Sequence, residues 1–201
     1  MAAKVDTSLP LEYQTNQSQM NILGFWVFLG AEIVLFATLF ATYFVLNDRT
    51  VGGPTPQDMF VLRDVLILTF ILLTSSFTCG LAIFEMRRGN ENGVLGWLAV
   101  TMVLGLGFLG MEIYEFVHYV EMGATMQTSA FLSSLYALLG THGLHVALGI
   151  GWMFAILLQV YRRGLTTVTA RKVFIISLYW HFLDIVWIFI FTFVYIQGMV
   201  M

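Results

Sequence analysis

Charge is scarce in this sequence. Only 10% of its 201 residues are Asp, Glu, Lys or Arg, whereas 59% are hydrophobic. A soluble domain devotes about a quarter of its residues to charge. So few charges cannot cover a water-facing surface, and lipid must take their place. The net charge of −3 excludes the strongly basic surface that nucleic acid requires. A single cysteine, Cys79, rules out an intrachain disulfide and any Cys-based metal cluster. The three prolines, Pro10, Pro54 and Pro56, all fall outside the apolar runs, so no membrane helix should carry a proline kink. The opening residues, Met1-Ala2-Ala3-Lys4-Val5-Asp6, lack the basic, apolar and small-residue sections of a cleavable signal peptide. The first apolar run is therefore expected to remain as a membrane helix.

What the sequence does have is five long apolar stretches, near Ile22–Leu46, Val65–Met86, Val94–Val117, Phe131–Tyr161 and Phe174–Gln197. Each meets the roughly 20 helical residues needed to cross a hydrocarbon core. Backbone groups in lipid must be satisfied within each helix, so the fold class is all-α, an integral membrane bundle of five transmembrane helices. Residues 1–21 are read as a cytoplasmic N-terminal tail and residues 22–201 as the transmembrane domain. The separators Asn47–Arg63 and Arg87–Gly93 read as loops. The fourth span is the longest and is expected to tilt or to extend beyond the lipid. Lys4, Arg87, Arg88, Arg162, Arg163, Arg171 and Lys172 fall on one side of such a bundle; Arg49 and Arg63 fall on the other. Positive residues collect in the cytoplasm, which places the N-terminus inside and the C-terminus outside. Tyr43, Trp97, Tyr161 and Tyr195 fit interfacial anchors. The glycines of Gly105-Leu106-Gly107 and Gly149-Ile150-Gly151 suit close helix approach.

Ionisable residues inside the spans are the informative ones, because a charge at the bilayer centre costs about 2.5–3.5 kcal/mol on insertion scales. Glu32, His142 and His145 fall at central depth; His181 and Asp184 lie in the inner half of the fifth span. His142 shares a helix face with His145, and His181 shares one with Asp184, at a spacing of three. The simplest reading is a polar lock between helices, with proton handling or a lipid-headgroup role as the alternatives. A buried carboxyl such as Glu32 can also stay uncharged.

Glu112, Glu115 and His118 form a second polar group near the end of the third span, again at a spacing of three. Glu115-Phe116-Val117-His118 has the Glu-x-x-His form of carboxylate di-iron bundles. Such a site needs a second Glu-x-x-His and further glutamates on other helices, which this chain does not supply. A hydrogen-bonded network is the better reading. A bis-histidine heme requires ligands projecting from different helices, and only His181 with His142 or His145 could provide them at central depth. No phosphate loop, nucleophile elbow or catalytic triad is present in the sequence.

Four segments, read together, resemble subunit III of the heme–copper oxidases: GFWVFLGAEIVLF from Gly24, GMEIYEF from Gly110, GTHGLHVALG from Gly140 and YWHFLDIVWIFIFTFVY from Tyr179. The five-span form is similar to the short version of that subunit, which lacks the first two helices of the seven-helix form. TVGGPTPQDMF, GMEIYEF and RRGLT are similar to the quinol-oxidising branch, of bo or aa type. The resemblance implies a respiratory complex of the bacterial cytoplasmic membrane that oxidises quinol, reduces oxygen to water and translocates protons. Heme and copper are expected in partner subunit I, beside subunit II and a small subunit IV, with no redox centre or catalytic residue in this chain. It further implies bound phospholipid, and support of complex stability and of proton uptake. Glu32 matches the family's buried, carbodiimide-reactive carboxylate. His142, His145, His181 and Asp184 match motif positions whose roles are mainly structural. Subunit III of a cytochrome c oxidase is the nearest alternative. A stand-alone b-type cytochrome, or a small transporter using Glu32 and Asp184, would differ in carrying heme or transport activity without partners.

Overall fold

Side-chain caps start the long helices. The Thr15 hydroxyl accepts from Ser18 N–H, the Asn90 side chain from Gly93 N–H, the Ser129 hydroxyl from Leu132 N–H and the Thr166 hydroxyl from Thr169 N–H. Each satisfies a backbone donor that the first helical turn leaves without a partner. Gly89 and Gly164 follow two of the helix ends at φ +74° and +69°, where a side chain would be strained.

The computed structural model describes residues 8–50 and 53–200. Its elements are α1 (Asn16–Leu46), α2 (Pro56–Met59), α3 (Leu62–Arg87), α4 (Glu91–Glu121), α5 (Ala130–Arg163), α6 (Thr167–Ile190), a π-helical stretch (Phe191–Ile196) and α7 (Gln197–Val200), with a 3-10 turn at Leu11–Tyr13. Five helices are long and apolar enough to cross a membrane, the fifth running continuously from Thr167 to Val200. The expected fifth span, Phe174–Gln197, thus begins earlier, and at 34 residues it equals α5 in length. α1 starts at Asn16, six residues before the expected span, because Thr15 caps it there. The first separator is not all loop, since it contains α2. Lys4, which contributes to the charge count, and the Met1–Asp6 segment lie outside the described residues, as do Val51 and Gly52 of the first loop.

α6 is the most buried of the five helices and α1 the least. α6 packs against α1, α3 and α5, while α4 packs against α3 and α5. The tryptophans of α6 explain its central place. Trp180 Nε1–H donates to Ser75 Oγ at 3.0 Å, and Trp187 Nε1–H donates to Thr69 Oγ1 at 3.0 Å, so two rungs tie α6 to α3. The Trp180 ring occupies the space left by two absent side chains. A Cβ at Gly105 would lie 2.7 Å from it, and one at Gly149 would lie 3.2 Å away. The other glycine of each expected pair does not serve close approach: Gly107 and Gly151 face open space. A further rung joins Thr78 of α3 to Thr101 of α4 at 2.8 Å.

Two expected interfacial anchors are in fact core residues. Tyr43 packs against Phe131, and Tyr195 packs against Phe60 and Trp187, both fully enclosed. Trp97 and Tyr161 do lie on the outer surface. The 3-10 turn folds against α6 and α1, with the Tyr13 ring 5.5 Å from Phe174. Its Glu12 is wholly buried and pairs with Arg87 at the end of α3, at 2.9 Å.

Candidate functional site

α1 contributes Glu32 from the middle of its length, on the side that packs against α5. Its Oε2 lies 3.1 Å from His145 Nε2. The other ring nitrogen, His145 Nδ1, lies 2.7 Å from the Thr141 carbonyl of the preceding helical turn. A carbonyl oxygen only accepts, so Nδ1 must donate. One proton then lies between Nε2 and the carboxyl: either Glu32 donates it to a neutral ring, or a charged ring donates it to the carboxylate. The pair is a hydrogen-bonded bridge between α1 and α5. Both side chains are largely, though not wholly, enclosed. Phe36 packs beside His145 with ring centres 5.3 Å apart and begins an apolar groove of about 210 Å³ between α1 and α6, continued by Ala37, Phe40, Phe182 and Phe189.

This geometry separates two readings of Glu32. Glutamine at position 32 can donate its amide N–H to the same Nε2, so the Glu32→Gln chain should keep its fold and assembly. Interhelical hydrogen bonds in membranes average about 0.6 kcal/mol, and unfolding in detergent should change by no more than about that. Carbodiimide labelling of α1 should disappear in the same variant. A complete failure to assemble would show that the carboxyl itself is structurally essential.

The remaining candidates do not converge on one centre. His142 lies one turn from His145 yet is fully buried among Phe108, Trp187 and Phe36, with neither ring nitrogen bonded among the described residues. His181 does not bond Asp184 as their spacing suggests. Its Nδ1 bonds Ser76 Oγ of α3 at 2.7 Å, and the Ser76 hydroxyl also interacts with the Asp184 carboxyl. Asp184 Oδ1 is buried without a partner among the described residues. The shared helix face is real, but α3 supplies the bridging hydroxyl. Ser76 left no signal in the sequence, since serine in a membrane helix usually bonds its own backbone.

Of the Glu112, Glu115 and His118 group, only Glu115 forms side-chain hydrogen bonds among the described residues. It accepts from Tyr119 Oη at 2.5 Å and from Tyr195 Oη at 3.2 Å. Tyr195 comes from the π-helical stretch of the last span. His118 is exposed and stacks on Tyr114, while Glu112 is enclosed with both carboxyl oxygens unbonded among the described residues. Nor do three His, Cys, Asp or Glu side chains converge as a metal ion would require among those residues.

Comparison with known proteins agrees with the pattern of these segments. Residues 12–199 match the family model described as cytochrome c oxidase subunit III. The chain is 59% identical over 194 residues to quinol oxidase subunit 3 of Bacillus subtilis (strain 168), covering 96% of this chain and 95% of that protein. It is 53% identical over 191 residues to a probable quinol oxidase subunit 3 of Staphylococcus haemolyticus, covering 94% and 95%.

Proposed function

Since the chain belongs to the cytochrome c oxidase subunit III family, we propose that it serves as subunit III of a quinol oxidase and leaves the electron chemistry to its partners. The single observation that carries the choice of donor is likeness at 59% identity, over nearly the whole of both chains, to proteins named quinol oxidase subunit 3. The cytochrome c alternative has less support.

In this reading the complex oxidises quinol, reduces oxygen to water and translocates protons. Heme and copper reside in subunit I, beside subunit II and a small subunit IV. This chain adds a helical flank in the cytoplasmic membrane, with its N-terminus inside, as the positive-residue count favours. Both nitrogens of His145 are engaged, by Glu32 and Thr141, which weakens the form of the cytochrome alternative that uses His145. The groove that Phe36 opens has apolar walls suited to a phospholipid chain, and the Glu32–His145 bridge lies beside Phe36 with one exchangeable proton.

The test is co-purification in mild detergent. The expected result is recovery of this chain with larger heme-bearing subunits whose redox spectrum responds to quinol. Stoichiometric heme in the isolated chain, or recovery only with a cytochrome c-reactive assembly, would overturn the assignment.

A further inference from the structure

We infer that Glu112 is a proton-exchanging carboxyl, reached through Glu115 from a pocket at the end of the bundle that carries the first and third loops. This goes beyond the subunit assignment and uses none of the residues of the Glu32 bridge.

Glu112 is 2% exposed, and neither carboxyl oxygen has a hydrogen-bond partner among the described residues. No lysine or arginine pairs with it among the described residues. A bare carboxylate in such surroundings would be very costly, so the place suits the uncharged acid. A Cβ at Gly143 of α5 would lie 2.7 Å from Glu112 Oε2, so the carboxyl sits against the bare backbone of this glycine and would have to shift to admit a methyl. Buried polar groups without protein partners commonly hold water, and the two unbonded oxygens of Glu112 are such groups.

Glu115 stands one turn away on the same face of α4, at a Cβ separation of about 5–6 Å. In this proposal one bridging water would close that span. Glu115 also lines a cavity of about 160 Å³ between α3 and α4, together with Asp64, Tyr114, His118 and Tyr119. Tyr119 and Tyr195 fix its carboxyl between the cavity and the interior. The hold of Tyr195 depends on the π-helical stretch at Phe191–Ile196, a rare geometry that often marks functional places. The titratable groups facing this file are Asp64 from α3, Glu115, His118 and Tyr119 from α4 and Tyr195 from the last span. In the exchange step the Glu112 O–H bond breaks, and its proton passes through water to a Glu115 carboxylate oxygen. From there it passes to the His118 ring or to water in the cavity, and return follows the same atoms. No electron moves.

Infrared spectroscopy of the full chain in lipid nanodiscs tests this independently of partner binding. The expected spectrum contains a protonated-carboxyl C=O band that is absent from Glu112→Gln and shifts in heavy water. Glu115→Leu should keep the band but slow its deuterium shift by roughly tenfold or more. Should Glu115→Leu not fold, the double variant Asp64→Asn/His118→Phe at the cavity should show the same slowing. Gly143→Ala should displace the band, because the added methyl meets the carboxyl. Identical spectra for wild type and Glu112→Gln, or an exchange rate indifferent to both sets of cavity changes, would overturn the inference.

Discussion

Alanine at Trp180 should destabilise the chain in detergent by about 3–5 kcal/mol, the loss typical of a large aromatic core side chain. The ring fills the space above Gly105 of α4 and Gly149 of α5 while bonding Ser75 of α3. Its removal opens a void at the junction of four helices, and helix backbones cannot close it without moving apart. Trp180→Phe isolates the cause. It loses the Nε1–H bond, worth about 0.6 kcal/mol in a membrane, but keeps much of the ring volume. Thermal unfolding in one detergent, followed by circular dichroism, should therefore rank Trp180→Ala well below Trp180→Phe. Trp97→Ala, on the outer surface, should behave almost as wild type. Equal losses for the Trp97 and Trp180 alanine variants would show that the central position of α6 carries no energetic weight.

The second large effect is local. Arg87→Ala should release the 3-10 turn at Leu11–Tyr13, because it strips the partner from a buried carboxylate. Glu12 is 0% exposed, and Arg87 donates both Nε–H and a terminal N–H to its Oε1, at 3.1 and 2.9 Å. Removing one member of a fully buried pair costs about 3–5 kcal/mol. Half of the Arg87 side chain is exposed, so solvent screening reduces the expectation to about 1–3 kcal/mol. Hydrogen exchange at residues 11–14 should accelerate by roughly tenfold or more. The neighbouring Arg88→Ala should have little effect, since Arg88 meets Glu85 only at 3.6 Å on the surface. Adding Glu12→Gln to Arg87→Ala should restore much of the protection, because the buried charge is then gone. Unchanged exchange in Arg87→Ala would remove the ion pair from any account of this segment.

The sequence was most legible where one physical demand dominated. Lipid requires long uninterrupted helices, and the five apolar runs report that demand directly. It also requires a reason for each buried ionisable group, which brought Glu32, His145 and Asp184 forward from their positions alone. Partners were harder to read. Glu32 and His145 are 113 residues apart, and nothing local couples them. The Ser76–His181 bond is hidden for the same reason, with the added difficulty that a serine gives no warning of which way it turns. Burial was misread for Tyr43 and Tyr195, since a tyrosine near a span end looks the same whether it faces headgroups or another helix. Glu12 was missed altogether. A glutamate in a polar tail reads as solvated until α3 presents an arginine to it. The π-helical stretch had no sequence signature at all, yet it aims Tyr195 at Glu115.

The connections between helices have a consequence for biosynthesis. Only residues 88–90 separate α3 from α4, and residues 164–166 separate α5 from α6. Links so short hold their helices as antiparallel neighbours, so each pair can leave the translocon as a hairpin with its packing already begun. α1 is joined through a much longer segment and buries the least of its surface. Its helix contacts are with α5 and α6, so most of its packing can form only after those two later helices have entered the bilayer, while the Glu12–Arg87 pair can tie the segment before it to α3 earlier.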